Sequence, residues 1–277
     1  MMPVIYIINF MPNCKISKFA HKSISVILYK SLSQPSSSSY PDQQGFDKQL
    51  GVGGPGPSSY FGPFAGIPNM VDHLGNPAVG AVGDHLGDHM AGLVQDMIDH
   101  HLTNDPTTPF FLYYPAFSVH GPHEAKQSLF DYYQDKLSGL PDSKHKHPLF
   151  AAQVHSADDE IGLMLDYLDS KGLTDNTLLI FLSDNGGLSI TRQTGSLFDD
   201  IGTDGIADDH PDNEVNGSYV ETASPIPAST RLTEMAPLRS GKGALFEGGI
   251  RVPMIVRYPD GGIAAGSETD ESVQLVD

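Results

Sequence analysis

Apolar and polar positions along this chain fall into blocks with two different periods. Over residues 84–101, Leu86, Met90, Leu93, Val94, Met97 and Ile98 recur at helical spacing, with acids and histidines largely between them. That pattern predicts an amphipathic helix. After Pro109, Phe110-Phe111-Leu112-Tyr113-Tyr114 is a continuous apolar run, and its length and aromatic content predict a buried strand. Residues 148–171 return to helical spacing, with Val154, Ile161, Leu165 and Leu168 marking an apolar face. Pro148 suits the first turn of that helix and Gly172 suits its stop. Thr177-Leu178-Leu179-Ile180-Phe181-Leu182 reads as a second buried strand, and Met254-Ile255-Val256, within residues 252–258, as a third. Strand, helix, strand at this spacing predicts an α/β fold, a mostly parallel central sheet flanked by helices.

The segments between these blocks set the domain organisation. Residues 41–82 are dense in Gly and Pro and read as loop. Residues 188–236 are polar and too long for an ordinary connection, so they read as a functional loop or an insertion. Residues 1–40 end in a serine tract, Ser36 to Ser39, and are assigned no structure: a linker or a foreign start. The expected division is therefore 1–40 as an unrelated or disordered segment and 41–277 as the folded part, interrupted at about 188–236.

Charge sharpens that division. The net charge of −18 argues against nucleic acid and against an anionic membrane surface. Residues 1–40 nevertheless carry Lys15, Lys18, Lys22 and Lys30 and no acid, so the acidity lies entirely in the remainder. Cys14 is the one cysteine, which excludes an internal disulfide and fits either a reducing compartment or secretion without staples. No apolar run reaches the ~18 residues of a membrane span. The apolar start has its lysines after it rather than before it, the wrong order for a signal peptide.

Several runs could carry chemistry. Asp184-Asn185-Gly186-Gly187 ends a predicted strand, the edge where ligands bind in open α/β sheets. Its Asp and Asn offer hard oxygens suited to Ca²⁺ or Mg²⁺, although Asn-Gly is also a common turn pair. Lys242, between Gly241 and Gly243, can present a compact cation to a sulfate or phosphate, or simply be a surface lysine. The run is not a Walker A loop. His120 lies just past the first strand, where it can donate a proton or hold an anion; His123 is its competitor. His85 and His89 have the i, i+4 spacing of a zinc pair, but the H-E-x-x-H arrangement is absent and a solvated acidic face is expected there. The acidic run Asp199, Asp200, Asp204, Asp208, Asp209, Asp212 and Glu214 is either solvated charge or a second Ca²⁺ loop, without the full EF-hand pattern.

Taken in order, these runs resemble the sulfatase family of the alkaline-phosphatase superfamily. The resemblance takes in Gln44-Gly45-Phe46-Asp47, Ser59-Tyr60-Phe61, Pro109-Phe110-Phe111-Leu112-Tyr113 and Val119-His120-Gly121-Pro122. It continues through Ser183-Asp184-Asn185-Gly186-Gly187, Pro237-Leu238-Arg239-Ser240-Gly241-Lys242-Gly243 and Glu247-Gly248-Gly249-Ile250-Arg251-Val252-Pro253. It implies an alkaline-phosphatase-like fold and hydrolysis of sulfate esters by a metal-assisted covalent route. It implies Asp184 and Asn185 as ligands of Ca²⁺ or another divalent cation, and Lys242 and His120 as catalytic residues contacting the sulfate. The implied substrate is a sulfated small molecule or a sulfated glycan, and such proteins are often secreted or periplasmic. The family's nucleophile run, C-x-P-S-R or C-x-A-S-R, is absent, and Cys14-Lys15-Ile16-Ser17-Lys18 only partly echoes it. The N-terminal acidic metal pair and the G-K-W-H run are absent as well. The chain thus resembles the middle of a sulfatase and is expected to turn over little or nothing by itself. The alternatives are a non-catalytic metal-binding remnant and a phosphoesterase of the same superfamily.

Overall fold

A computed structural model of the chain describes residues 3–9, 24–27, 41–43, 45–50, 59–64, 70–121, 123–140, 147–187, 233 and 235–273. Its strands are β1 (Pro3–Asn9), β2 (Ile24–Ile27), β3 (Lys48–Gln49), β4 (Phe110–Pro115), β5 (Thr177–Ser183) and β6 (Met254–Arg257). Its helices are α1 (Leu86–Asn104), α2 (Gln127–Ser138), α3 (Pro148–Ser170) and the single turn α4 (Glu247–Ile250). The strands form one sheet in the order β3-β2-β4-β1-β5-β6. Every strand and helix expected from periodicity is present. Helix α2 was not expected: it buries none of its residues fully. Only Leu129, Phe130 and Tyr133 lean on Leu149 and Ala152 of α3, too few apolar positions to mark a face.

The sheet is helix-flanked as expected, but its strands are not mostly parallel. β4 and β5 do point the same way, as a strand-helix-strand unit requires. However, β1 lies between them and is antiparallel to both, and β6 is antiparallel to β5. Only β2 pairs in parallel, with β3 and with β4. The residues responsible belong to the segment assigned no structure. Pro3–Asn9 and Ile24–Ile27 are strands. The run Val4-Ile5-Tyr6-Ile7-Ile8 is apolar at successive positions, the pattern of an interior strand of a sheet whose two faces are both covered.

One face of the sheet carries the core. Ile5, Ile7, Phe110, Leu112, Tyr114 and Leu179 pack against Met90, Val94, Met97 and Ile98 of α1 and Met164 and Leu168 of α3. Burial of each such side chain contributes about 1.5–3 kcal/mol. Helix α3 is tied at both ends. His147 caps it, its Nδ1 accepting from Phe150 N–H at 3.2 Å, and Pro148 follows. At the other end Gly172 takes φ +66°. Leu173 N–H then reaches Leu168 O and Gly172 N–H reaches Asp169 O, both at 2.9 Å, a Schellman closure. The buried face of α3 differs from the expected one. Val154 is exposed, whereas the polar Gln153, Ser156 and Glu160 are buried.

Candidate functional site

Topology fixes the site first. Because β4 and β5 run in the same direction on either side of β1, they end at one edge, with Pro115 opposite Val4 and Ser183 opposite Pro3. The loop leaving β4 carries His120 and the loop leaving β5 carries Asp184 and Asn185.

The His120 loop begins with a turn, Phe117 to His120, closed by His120 N–H donating to Phe117 O at 2.9 Å. The buried Tyr60 hydroxyl lies 2.6 Å from Phe117 O and 3.0 Å from His120 O. Ser118 Oγ donates to Glu160 of α3 at 3.1 Å, and Tyr114 OH donates to the same carboxyl. Further along, Glu124 accepts from Tyr60 N–H at 2.6 Å and Ser59 Oγ at 2.8 Å. His123 Nδ1 sits 2.8 Å from Gln153 Oε1, and Lys126 pairs with Asp88 at 2.9 Å. The loop is thus held by α1, α3 and the Tyr60 segment together. His120 Nδ1 lies 2.8 Å from Gly121 O. A carbonyl can only accept, so Nδ1 is the donor in this contact.

The second loop is built on close backbone approach. Ser183 Oγ donates to Asn185 O at 2.7 Å, turning the chain as β5 ends. Gly186 N–H donates to Gly249 O, and Lys242 N–H donates to Gly187 O, each at 2.9 Å. A Cβ at Gly186 would run into the Gly248 carbonyl, and one at Gly248 into the carbonyls of Arg239 and Ser240. Glycine is therefore required at both positions. Asp184 is exposed and Lys242 half-buried. Asn185 Oδ1 is buried with no hydrogen-bond partner among the described residues. Such an acceptor is costly to leave unsatisfied and is the kind of oxygen a cation can satisfy. No group of three or more His, Cys, Asp or Glu placed to hold a metal occurs among the described residues.

The structure brings Asp184, Asn185 and Lys242 together through hydrogen-bonded loops and sets the His120 loop at the same edge. Electrostatics link the two loops. Burial lowers the His123 pKa, with a smaller contribution from Lys242. Burial raises the Tyr113 pKa, with smaller contributions from Tyr6 and Asp184.

His85 and His89 do not form a zinc pair or a solvated face. His85 is buried at the start of α1 between Tyr60 and Phe61, and burial, then Lys126, lowers its pKa to about 4. His89 Nε2 instead lies 2.8 Å from Ala78 O. Cys14 and the acidic run 199–214 lie outside the described residues. Sequence reasoning named Tyr60 within the family-like runs without a role, and missed Gln153 and Glu160. For Glu160 a signal existed: an acid four residues before Met164 and eight before Leu168, on the stripe that faces the core.

A profile described as Sulfatase matches residues 29–276. A sulfatase of Formosa agariphila is 29% identical over 179 residues, covering 61% of this chain and 24% of that protein. An N-acetylgalactosamine-6-O-sulfatase of Bacteroides thetaiotaomicron is 29% identical over 160 residues, covering 54% of this chain and 22% of that protein. The crystal structure of Ps i-CgsB superposes with a TM-score of 0.56 at 21% identity, covering 88% of this chain and 47% of that one. Its complex with k-i-k-neocarrahexaose gives 0.53 at 21% identity, covering 86% and 44%. This chain spans about a quarter of the length of these curated relatives and under half of these solved chains.

Proposed function

The chain belongs to the sulfatase family, and we propose that its residues 41–277 hold the anion- and metal-binding part of a sulfuric ester hydrolase site. The observation that supports this most directly is the junction of two loops. Gly187 O accepts from Lys242 N–H, so the Asp184-Asn185 turn and the lysine loop form one unit beside the His120 turn.

In this reading Asp184 and Asn185 hold a divalent cation, Ca²⁺ by family resemblance. The donor set fits: one exposed carboxylate and one buried amide oxygen with no partner among the described residues, both hard oxygens. A cation held there would offset charge on sulfate oxygens. Lys242 places a second positive charge at the same oxygens. His120, whose Nδ1 donates to Gly121 O, is held at this edge as the imidazole that contacts an anion oxygen of the ester. No nucleophile is assigned, because the C-x-P-S-R or C-x-A-S-R run is absent from the sequence. The substrate proposed is a sulfated small molecule or sulfated glycan. The name of the Bacteroides relative and the oligosaccharide bound to Ps i-CgsB support the glycan.

The test is titration of methyl sulfate into the chain with Ca²⁺ present, followed by calorimetry. Lys242→Ala and His120→Ala should each weaken binding about 10-fold or more, the scale of one lost charge-assisted hydrogen bond. Equal affinity in all three proteins would overturn the proposal.

A further inference from the structure

Glu160 has no place in the chemistry above, yet it is among the most deeply buried side chains of the molecule. It projects from α3 into the gap between α1 and the end of β4. Two neighbours donate to its carboxyl: Tyr114 OH, from β4, and Ser118 Oγ at 3.1 Å, from the turn that ends in His120. Helix α1 is shaped to admit it, because a Cβ at Gly87 would collide with Glu160 Oε2. The other charged or titratable groups that face it are Asp88 of α1, Lys126 and Tyr60. Lys126 is paired with Asp88 at 2.9 Å, so the carboxyl has no dedicated counter-ion among these groups.

A buried carboxyl so placed is poor at stabilising a fold. An apolar residue of similar volume would do better, since desolvation of a carboxyl outweighs two neutral hydrogen bonds. What the carboxyl supplies instead is direction. It accepts from Ser118, the second residue of the Phe117–His120 turn, while Tyr60 holds the first and last carbonyls of that turn. An apolar side chain could fill the space but could not orient the Ser118 hydroxyl.

We infer that Glu160 is a positioning residue: through Ser118 and Tyr114 it fixes the turn that presents His120 to the sulfate ester. This rests on the reading of His120 as an anion contact, and the two can be tested apart. Backbone amide resonances of Phe117 to His120 report the turn, and methyl sulfate affinity reports the anion contact. Glu160→Ala should displace those amide resonances and weaken methyl sulfate binding about as much as His120→Ala, roughly 10-fold. Glu160→Gln, which keeps both an acceptor and the volume, should restore both. Should Glu160→Ala fail to fold, Tyr114→Phe removes one donor to the carboxyl without a cavity and should shift the same amides. Unchanged amides in Glu160→Ala, or in Tyr114→Phe, sink the inference whatever the anion does. Displaced amides with unchanged affinity uphold Glu160's hold on the turn and overturn His120 as an anion contact.

Discussion

Glu160 shows how one side chain makes this fold sensitive to pH. Burial raises its pKa from the ordinary 4.5 to about 7, against the pull of the Tyr114 and Ser118 hydrogen bonds and with a smaller push from Asp88. Between those two values the folded chain keeps a proton that the unfolded chain has released. Stability from this group is therefore present below the unfolded value and is lost as pH rises through about 7. At ~1.4 kcal/mol per pH unit across that window, the loss is roughly 3 kcal/mol. Glu160→Gln removes the ionisation. Urea unfolding should find the variant gaining on the parent by up to that amount between pH 5 and pH 8. His123 and His147, lowered chiefly by burial, titrate in both proteins and cancel in the comparison. A gap that stays constant with pH would show that Glu160 does not titrate in this range.

At the scale of elements, the glycine-lined junction between the β5 loop and α4 makes a different prediction. Gly186→Ala drives a methyl into the Gly248 carbonyl, and neither backbone has a flexible end that could move aside. Thermal unfolding should show a loss of about 1–3 kcal/mol. Methyl sulfate affinity should fall with it, because Lys242 is hydrogen-bonded to the displaced strand of that junction. A fully stable Gly186→Ala with parental affinity would mean that the junction is not rigid. The same elements show what was legible in advance. Helices α1 and α3 and strands β4, β5 and β6 were readable because their burial is periodic or continuous. The Lys242 loop stood out only in the order of runs that resembles the family, whereas the turn after β5 was readable because Asn185-Gly186 follows an apolar strand. Helix α2 was not, since it buries no full side chain, nor was the polar face of α3, because Gln153 and Glu160 find their partners only after the chain folds back. Periodicity sets Glu160 on the core-facing stripe with Met164 and Leu168, but it does not show the Tyr114 and Ser118 donors that meet the carboxyl there.

Across the whole molecule, what sequence reasoning missed was the strand at the sheet's centre. β1 comes from a lysine-bearing segment whose composition set it apart, and direction of pairing is not written in a run such as Val4-Ile5-Tyr6-Ile7-Ile8. That strand matters to the proposed site because it spaces the ends of β4 and β5 by its own width, and so sets the His120 loop relative to the Asp184 loop. Among the described residues the resulting edge offers two proposed metal ligands, whereas Ca²⁺ takes roughly 6–8 oxygens. A Ca²⁺ ion held by Asp184 and Asn185 alone would take the rest of its oxygens from water, so affinity should be no tighter than about 10⁻⁴ M, as in weak extracellular sites. Calorimetry should find that weak binding, and Asp184→Ala should abolish it. The same chain should hydrolyse 4-nitrophenyl sulfate no faster than buffer, because a cation, a lysine and a histidine can hold an ester without supplying the atom that attacks sulfur. Tight calcium binding that survives Asp184→Ala would place the metal elsewhere. Steady turnover lost in Lys242→Ala would mean that a nucleophile other than the family's cysteine serves this edge.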